Sequence, residues 1–431
     1  MLILVFILNW DQFRNLNLRS ANGENNIQNN LIEDDLYYIP HSFVGDKQYL
    51  QEGDILLSLS SGSKKAVGKA TLIKENGKGT FGTFCGVLRP KRELVNPLFL
   101  SYFFKTSNYR ENISDLAGGV NINNISKGHF SKIFIPLPPM NEQLLIIDVV
   151  EKLLARVNTV KERLDRVPTI MQQFRQSVLA AACSGELTEK WRERNQCENS
   201  SEFLECVNVD YPYELPPTWK IVKLYDIAAK EKYSITDGPF GSNLKTEHYT
   251  ESGPRVIRLQ NIGNGQFLNL FSHISQEHYE TLNKHHIFPS DLVIALLGDP
   301  IPRCCIIPDD IGPAIVKADC VRFKPNNDLV NSKFVMYAIN EPNIRELIKE
   351  SVHGVARPRL NLKQIKSLLL PLPPLEEQYE IVHRLDVLFT HANRIEDQVT
   401  AARERVETVT QSILHQAFTG NLLPSKDIAE S

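Results

Sequence analysis

The sequence lacks the short motifs that mark nucleotide-dependent and metal-dependent enzymes. It contains no G-x-x-x-x-G-K-[ST] loop, no H-E-x-x-H, and no G-x-G-x-x-G between a predicted strand and a helix. Its seven cysteines include no C-x-x-C pair and no Cys/His spacing suited to zinc, which predicts reduced thiols in a cytoplasmic protein. We therefore predict a chain with no catalytic residues, no metal site and no bound cofactor.

Long apolar runs and an excess of positive charge are also lacking. The first eight residues are apolar, but they are too few to span a bilayer and have no basic flank, so we predict a buried strand and no membrane association. The formal net charge is −3, which by itself argues against nucleic acid as a partner. Positive charge is nevertheless concentrated locally, since residues 64–93 hold eight basic residues and two acidic ones.

One sequence block occurs twice, at a constant offset of 235 residues. Pro-Leu-Pro-Pro-Met-Asn-Glu-Gln starts at Pro136, and Pro-Leu-Pro-Pro-Leu-Glu-Glu-Gln starts at Pro371. The same offset relates Cys85 to Cys320 in the segments before the two blocks. We therefore predict an internal pseudo-two-fold repeat, which suits a pair of identical partner subunits.

A long helical pattern follows each proline block. Apolar residues alternate at spacings of four and three from Ile146 to Val178, and again from Ile381 to Ile413. Such a seam predicts two helices that pack on each other. The alternative is that each seam covers only its own globular domain, but about forty residues span about 60 Å, too long for one small domain. We expect Pro168 to kink or break the first helix, and Gly185 and Gly420 to end the two helices.

The segments before the proline blocks have the pattern of compact α+β domains. Residues 54–59 form a β-type run, glycine-rich turns follow, and a helical stretch runs from Pro97 to Leu116. The predicted division is a first domain at 1–139, a helix at 140–187, a linker at 188–214, a second domain at 215–374 and a second helix at 375–422.

Several loops carry side chains suited to DNA. Lys64, Lys65 and Lys69 lie among serines and glycines, where cations and backbone amides bind phosphate oxygens, although such a loop is equally well explained as solvated surface. The second domain offers Arg, Asn and Gln side chains of the kind that reach base edges. The candidate DNA-binding residues are Lys64, Lys65, Lys69, Asn121, Asn123, Lys127, Ser242, Asn243, Lys245, Arg258, Gln260, Asn261, Arg357, Arg359 and Lys363.

Over nearly its whole length the sequence resembles the specificity subunits of type I restriction-modification systems. Besides the two proline blocks, the matching motifs are Leu-x-Arg-Val-Pro-x-Ile at 164–170, Phe-Arg-Gln-Ser-Val-Leu-Ala-Ala-Ala-Cys-Ser-Gly-Glu-Leu-Thr at 174–188, Leu-Pro-Pro-x-Trp at 215–219, Gly-Pro-Phe-Gly-Ser-Asn-Leu-Lys at 238–245 and Ile-Arg-Leu-Gln-Asn-Ile at 257–262. Together these motifs are highly specific, whereas Pro-Leu-Pro-Pro alone is not.

The resemblance implies an α+β fold in which two α/β target-recognition domains are separated by two long antiparallel coiled-coil helices. Each domain would read one half of a bipartite target in double-stranded DNA. The implied partners are two copies of a methyltransferase subunit that binds S-adenosylmethionine, and a restriction and translocase subunit that uses ATP and Mg²⁺. The chain itself would perform no chemistry.

The first half departs from the family pattern at its start. Leu215–Ile227 opens the second domain, but no similar segment precedes Asn9, so we expect an N-terminally truncated first domain. Two alternatives therefore stay open. One is a truncated, inactive specificity subunit, and the other is a non-DNA coiled-coil scaffold that displays two protein-binding domains.

Overall fold

The chain forms two compact units that share two long helices, α4 (Met140–Ser184) and α10 (Leu375–Thr419). The first unit comprises Met1–Arg166 and Val399–Ser431, and the second comprises Val167–Gln398. The computed structural model describes residues 2–6, 37–40, 44–61, 63–64, 66–75, 79–82, 84–117, 123–195, 204, 206–349 and 359–424. For residues 2–6, 37–40, 123, 127 and 349 it describes the backbone alone.

The first unit is built from short strands and short helices. Its strands are β1 (Leu2–Phe6), β2 (Tyr37–Pro40), β3 (Ile55–Ser58), β4 (Ser60–Ser61), β5 (Ala70–Leu72), β6 (Gly79–Phe81), β7 (Cys85–Leu88) and β8 (Asn123–Asn124), and its short helices are α1 (Pro97–Phe103), α2 (Ser107–Leu116) and α3 (Lys127–Phe130). β3 pairs antiparallel with β5 and β7, β1 pairs with β2 and β6, and β4 pairs with β8. The strand predicted over the first eight residues is present as β1 (Leu2–Phe6). Because only its backbone is described, the predicted burial of this strand stays a prediction.

The helical stretch predicted from Pro97 to Leu116 is interrupted between α1 and α2. α1 begins at Pro97 because the Asn96 side chain accepts the Leu98 N–H and proline suits the first helical position. α2 begins after Thr106, whose hydroxyl accepts the Tyr109 N–H. Both helices bury aromatic side chains in the core formed with β3.

The second unit has a larger sheet-containing domain. Its strands are β9 (Lys220–Lys223), β10 (Ile235–Asp237), β11 (Tyr249–Ile257), β12 (His273–Ile274), β13 (His286–Ile287), β14 (Leu292–Ala295), β15 (Arg303–Ile306), β16 (Ala314–Val316), β17 (Cys320–Phe323) and β18 (Leu369–Leu372). Its short helices are α5 (Glu189–Arg194), α6 (Gln276–Thr281), α7 (Ser332–Asn340), α8 (Pro342–Lys349) and α9 (Leu362–Lys366). The strand orders are β10-β17-β14-β15, β12-β11-β16-β13 and β18-β9, and β14 is buried at every position.

The long helices run antiparallel to each other within each unit. In the first unit the Arg403 guanidinium is 2.9 Å from the Asp165 carboxylate, and Ile146 shares an apolar cluster with Leu414. In the second unit Val178 and Ile381 lie in the corresponding cluster. The predicted packing of the two seams is therefore confirmed.

The two long helices end where the sequence predicted, but the predicted break at Pro168 is not found. Gly185 and Gly420 follow the last helical residues with φ values of 85° and 76°, a left-handed conformation that glycine adopts without strain. Pro168 was expected to kink or break α4. The break does not occur, because the helix continues from Met140 to Ser184 through this residue, and the kink stays a prediction. No helix among the described residues combines the length and apolarity needed to cross a membrane.

Candidate nucleic-acid interface and helix anchors

A buried glutamine fastens α4 to the first domain. The Gln143 side-chain oxygen accepts the Asn96 N–H at 2.8 Å, and its nitrogen donates to the carbonyl oxygens of Leu94 at 3.0 Å and Pro138 at 2.9 Å. Because Asn96 also caps α1, one network connects the start of α4 with the helical core of the domain. Gln143 thus satisfies three backbone groups with one buried amide.

Gln378 makes the same arrangement at the start of α10. Its oxygen accepts the Asn331 N–H at 2.8 Å, and its nitrogen donates to Leu329 O at 3.1 Å and Pro373 O at 2.9 Å. Each of these residues lies 235 positions after its counterpart in the first unit. The repeat was visible in the sequence, but the role of its glutamine was not.

Glu377 adds a second anchor, which joins the second domain to both long helices. Its buried carboxylate accepts hydrogen bonds from the Trp219 indole at 2.8 Å and the Thr188 hydroxyl at 2.7 Å, and it forms an ion pair with Arg192. Thr188 and Arg192 follow α4, whereas Trp219 precedes β9. Segments that are distant in the sequence therefore meet at one carboxylate.

The motif at 238–245 forms an exposed loop beside the turn that precedes β17. A Cβ at Gly238 would lie 2.0 Å from the Lys317 carbonyl carbon, so only glycine permits this approach. The Arg359 guanidinium lies 5.8 Å from the Phe240 ring centre and 2.6 Å from the Asp319 carboxylate. The structure thus brings Arg359 next to this loop, although more than a hundred residues separate them in the sequence.

Two histidines hold the far end of the same loop. The Lys245 N–H donates to His248 Nδ1 at 3.1 Å, and His278 Nε2 lies 2.9 Å from the Asn243 carbonyl oxygen. The two imidazole rings are 4.0 Å apart. Since Leu244 is buried while the side chains of its neighbours are exposed, the loop presents Ser242, Asn243 and Lys245 to solvent from a fixed backbone.

The other candidates of the second domain have different surroundings. Gln260 and Lys363 are exposed, and Arg258 is half-buried. Asn261 is fully buried, and its amide bonds to the Arg258 N–H and to the carbonyl oxygens of Leu268 and Leu270. Asn261 therefore shapes its own loop, which explains the residue without a role at a DNA surface. Arg357 lies outside the described residues.

The candidates of the first domain are described less completely. Lys64 is exposed, whereas Lys69 is half-buried, and burial together with the nearby Arg110 lowers the pKa of its ammonium group. Asn123 is in β8 and Lys127 is in α3, with only their backbones described. Lys65 and Asn121 lie outside the described residues.

A buried aspartate in each unit has a structural partner that the sequence did not indicate. Asp54 accepts two hydrogen bonds from the Arg89 guanidinium, both at 2.8 Å. Asp291 accepts one from Arg322 at 2.6 Å, and burial raises the pKa of this carboxyl group although Arg322 opposes that effect. Both arginines are therefore engaged inside their own units.

Metal binding or thiol chemistry would depend on the remaining ionisable groups. No group of three or more His, Cys, Asp or Glu side chains in this part of the chain is arranged to hold a metal ion. Burial raises the pKa of the Cys85 and Cys305 thiols to about 12, which keeps both protonated near neutral pH.

The fold is that of one class of protein, the DNA specificity subunits of type I restriction-modification systems. The family model described as the type I restriction modification DNA specificity domain matches residues 24–169 and 216–404, which make up most of the chain. The chain belongs to this family and is the non-catalytic DNA specificity subunit of a type I restriction-modification enzyme. The family, the fold class and the DNA-recognition function predicted from the sequence are thereby confirmed.

Individual relatives cover nearly the whole chain. The StySPI specificity subunit of Salmonella potsdam is 33% identical over 410 residues, and the EcoKI specificity subunit of Escherichia coli K12 is 31% identical over 404 residues. In both cases the match covers 92% of this chain and 81% of the relative.

Solved structures show the same fold at lower sequence identity. The HsdS subunit from Thermoanaerobacter tengcongensis gives a TM-score of 0.52 at 18% identity, with 98% of this chain and 91% of that chain covered. A structure titled for complex assembly and conformational transition of the type I R-M system gives 0.63 at 16% identity, with 98% and 92% covered.

Proposed function

We propose that the two domains read the two halves of a bipartite target in double-stranded DNA. The observation that carries this proposal is the duplication itself: each unit holds a sheet-containing domain fastened to the start of a long helix by the same buried glutamine. Two similar domains with different surface residues suit two different half-sites. The division into domains at 1–139 and 215–374, helices at 140–187 and 375–422 and a linker at 188–214 is part of the same proposal.

In the second domain, the proposed DNA surface is centred on the loop at 238–245 and on Arg359. The exposed polar side chains of the loop can hydrogen-bond bases or phosphates, and Arg359 carries a guanidinium suited to a guanine edge. Gly238 and the two histidines hold the backbone of this loop in place, so the loop loses little conformational entropy when it binds DNA. Arg258, Gln260, Arg357 and Lys363 are the further candidates.

In the first domain, we propose that Lys64, Lys65 and Lys69 contact phosphates, with Asn121, Asn123 and Lys127 nearer the bases. The exposed position of Lys64 in a locally basic segment supports the phosphate contact. The long helices would set the spacing between the half-sites. A helix of 45 residues is about 67 Å long, longer than the about 34 Å of one DNA turn.

We also propose two copies of a methyltransferase subunit as partners, one on each half of the repeat. Leu144 and Tyr379 occupy the same repeat position and are 52% and 56% exposed, which offers two like apolar contacts to two like subunits. S-adenosylmethionine would be bound by these subunits, and ATP and Mg²⁺ by a restriction and translocase subunit. Reduced cysteines agree with a cytoplasmic location.

Selection of binding sites from a random duplex library tests the bipartite reading. The chain would be purified with its methyltransferase partner, and the selected duplexes would be sequenced. We expect two short conserved segments separated by a fixed number of unconserved base pairs. A single uninterrupted motif would contradict the proposal, and so would a consensus that changes in both segments after a substitution confined to 238–245.

A further inference from the structure

In the second unit, Leu215–Lys223 fills a socket between the end of α4, the start of α10 and β18. Pro216 and Trp219 cover Gly185 so closely that an added Cβ would lie 2.5 Å from the Pro216 ring. The Trp219 indole donates to Glu377, and β9 pairs antiparallel with β18 from Lys220↔Leu372 to Lys223↔Leu369. As a result Leu372 is only 2% exposed.

The first unit repeats the apolar walls of this socket. The buried cluster beside Trp219 and the cluster in the first unit consist of residues related by the 235-residue offset. The wall residues of the first unit are Phe99, Ile146, Ile147, Val150, Ile413, Leu414 and Ala417, and those of the second unit are Phe334, Ile381, Val382, Leu385, Val178, Leu179 and Ala182.

The contents of the two sockets differ. Gly420 corresponds to Gly185, but an added Cβ at Gly420 would have no atom of a described residue within 4 Å. Glu142 corresponds to Glu377, but it makes no hydrogen bond or ion pair with another described residue. Phe134 and Leu137, which correspond to the first and last residues of β18, are 89% and 51% exposed.

Each of these differences concerns a group that Leu215–Lys223 covers in the second unit. Glu377 has two further partners there, Thr188 and Arg192. Leu423 stands at the position equivalent to Thr188, and the counterpart of Arg192 lies outside the described residues. Within the described residues no backbone group of 134–137 is paired in a strand. An unpaired strand edge with exposed apolar side chains readily accepts another strand.

We propose that the first unit carries a docking groove for a polypeptide segment with the chemistry of Leu215–Lys223. In this groove a tryptophan indole donates to the Glu142 carboxylate, the proline and tryptophan rings cover Gly420, and the following strand pairs with 134–137. The occupant is a Leu-Pro-Pro-x-Trp segment followed by a strand of two β-branched residues between two lysines, as in Lys-Ile-Val-Lys at 220–223. This proposal does not depend on how the chain recognises DNA.

A labelled peptide with the sequence of residues 215–224 tests the groove on the full chain. We expect saturable one-to-one binding by fluorescence anisotropy, because the chain's own copy of this segment already fills the second socket. A peptide carrying W219A should bind about tenfold more weakly or worse, since it loses a hydrogen bond to a charged group and a buried ring. Hydrogen exchange at the amides of residues 134, 135 and 137 should slow when the peptide binds.

The matched protein variants are Glu142→Gln and Glu162→Gln. Both remove one carboxylate from a non-buried position on α4, and only Glu142 lies at the groove. We expect about tenfold weaker peptide binding for Glu142→Gln and unchanged binding for Glu162→Gln, with both variants melting like the parent chain. Equal binding of the W219A peptide, or equal binding by the two variants, would overturn the proposal. A stable dimer of the chain that the peptide does not dissociate would also overturn it, because a second copy would then occupy the groove.

Discussion

The side-chain amides of Gln143 and Gln378 make the same three hydrogen bonds to backbone groups that lie 235 residues apart. Each amide accepts one N–H and donates to two carbonyl oxygens, and both side chains are fully buried. Water cannot replace these bonds without opening the junction between domain and helix. Each glutamine therefore fixes the orientation of the first turn of its long helix relative to the domain that it contacts.

Replacement of Gln378 by leucine should destabilise the second unit by about 2 to 4 kcal/mol, because it leaves three buried backbone groups without partners. Urea unfolding followed by circular dichroism measures this change. Gln398→Leu, an exposed position on the same helix, is the control and should change stability by less than about 0.5 kcal/mol. Equal effects of the two substitutions would show that the hydrogen bonds of Gln378 are not important.

Glu377→Gln should cost about 3 kcal/mol or more in unfolding free energy, because it removes the charge that neutralises a mostly buried Arg192. The repeat supplies its own control. Glu142→Gln alters the equivalent position, where the carboxylate has no partner among the described residues, and should be nearly neutral. Urea denaturation of both variants at pH 7 measures the difference, and a similar loss in both would contradict the role assigned to the ion pair.

Acid should weaken the second unit through His285. Burial lowers the pKa of this imidazole below its usual 6.5, while the hydrogen bond to the Asp237 carbonyl partly opposes the shift. The unfolded chain therefore takes up a proton below pH 6.5 that the folded chain resists, so stability falls as the pH drops from 6.5 toward the folded pKa. Above pH 6.5 this group makes no pH-dependent contribution.

His285→Asn keeps a donor toward Asp237 and removes the titration. We expect its unfolding free energy to change less between pH 7.5 and pH 5.5 than that of the parent chain, as measured by urea denaturation. His391→Asn, at an exposed position on α10, should keep the parental pH dependence. Parallel pH curves for His285→Asn and the parent chain would refute the assignment.

The sequence predicted the architecture better than the surfaces. Heptad spacing and the 235-residue offset predicted α4 and α10, because a helix face that is buried along its length requires apolar residues at regular spacing in the sequence. Pro168 does not break α4, because a long helix packed along its seam tolerates the loss of one backbone hydrogen bond, which the local rule for proline does not take into account. Asn261 is a polar residue that serves a buried turn, and nothing in one sequence separates it from an exposed asparagine.

Contacts distant in the sequence account for most of what the sequence did not reveal. Arg359 reaches Phe240 and Asp319, and Glu377 reaches Trp219, only because strands and helices fold back on one another. Residue types alone suggested a DNA-binding arginine but not the aromatic ring and carboxylate that hold it. Such contacts depend on how the chain is folded, and a search for short sequence motifs gives no information about that.

Lys64→Ala should weaken DNA binding to a similar extent for all target sequences, because a phosphate contact carries no base information. The slope of log K against log salt concentration should decrease in magnitude by about 0.9 for one lost contact. Filter binding by the complex at several salt concentrations measures the slope. Lys152→Ala, an exposed position whose ammonium pairs with Asp148, is the control and should leave the slope unchanged. An unchanged slope for Lys64→Ala would remove this residue from the proposed surface.

Arg359→Ala should alter base preference in one half-site only. Loss of a bidentate guanidinium contact reduces discrimination at one base pair by about 1 to 3 kcal/mol. Competition binding with duplexes substituted singly through both half-sites measures this effect. Arg359→Lys separates the guanidinium geometry from its charge: we expect it to retain the salt dependence of the parent and lose the base preference. Because Arg359 also contacts Asp319, Asp319→Asn is a further control. A loss of base preference in both half-sites for Arg359→Ala would indicate a general disturbance of the domain and not the loss of a base contact.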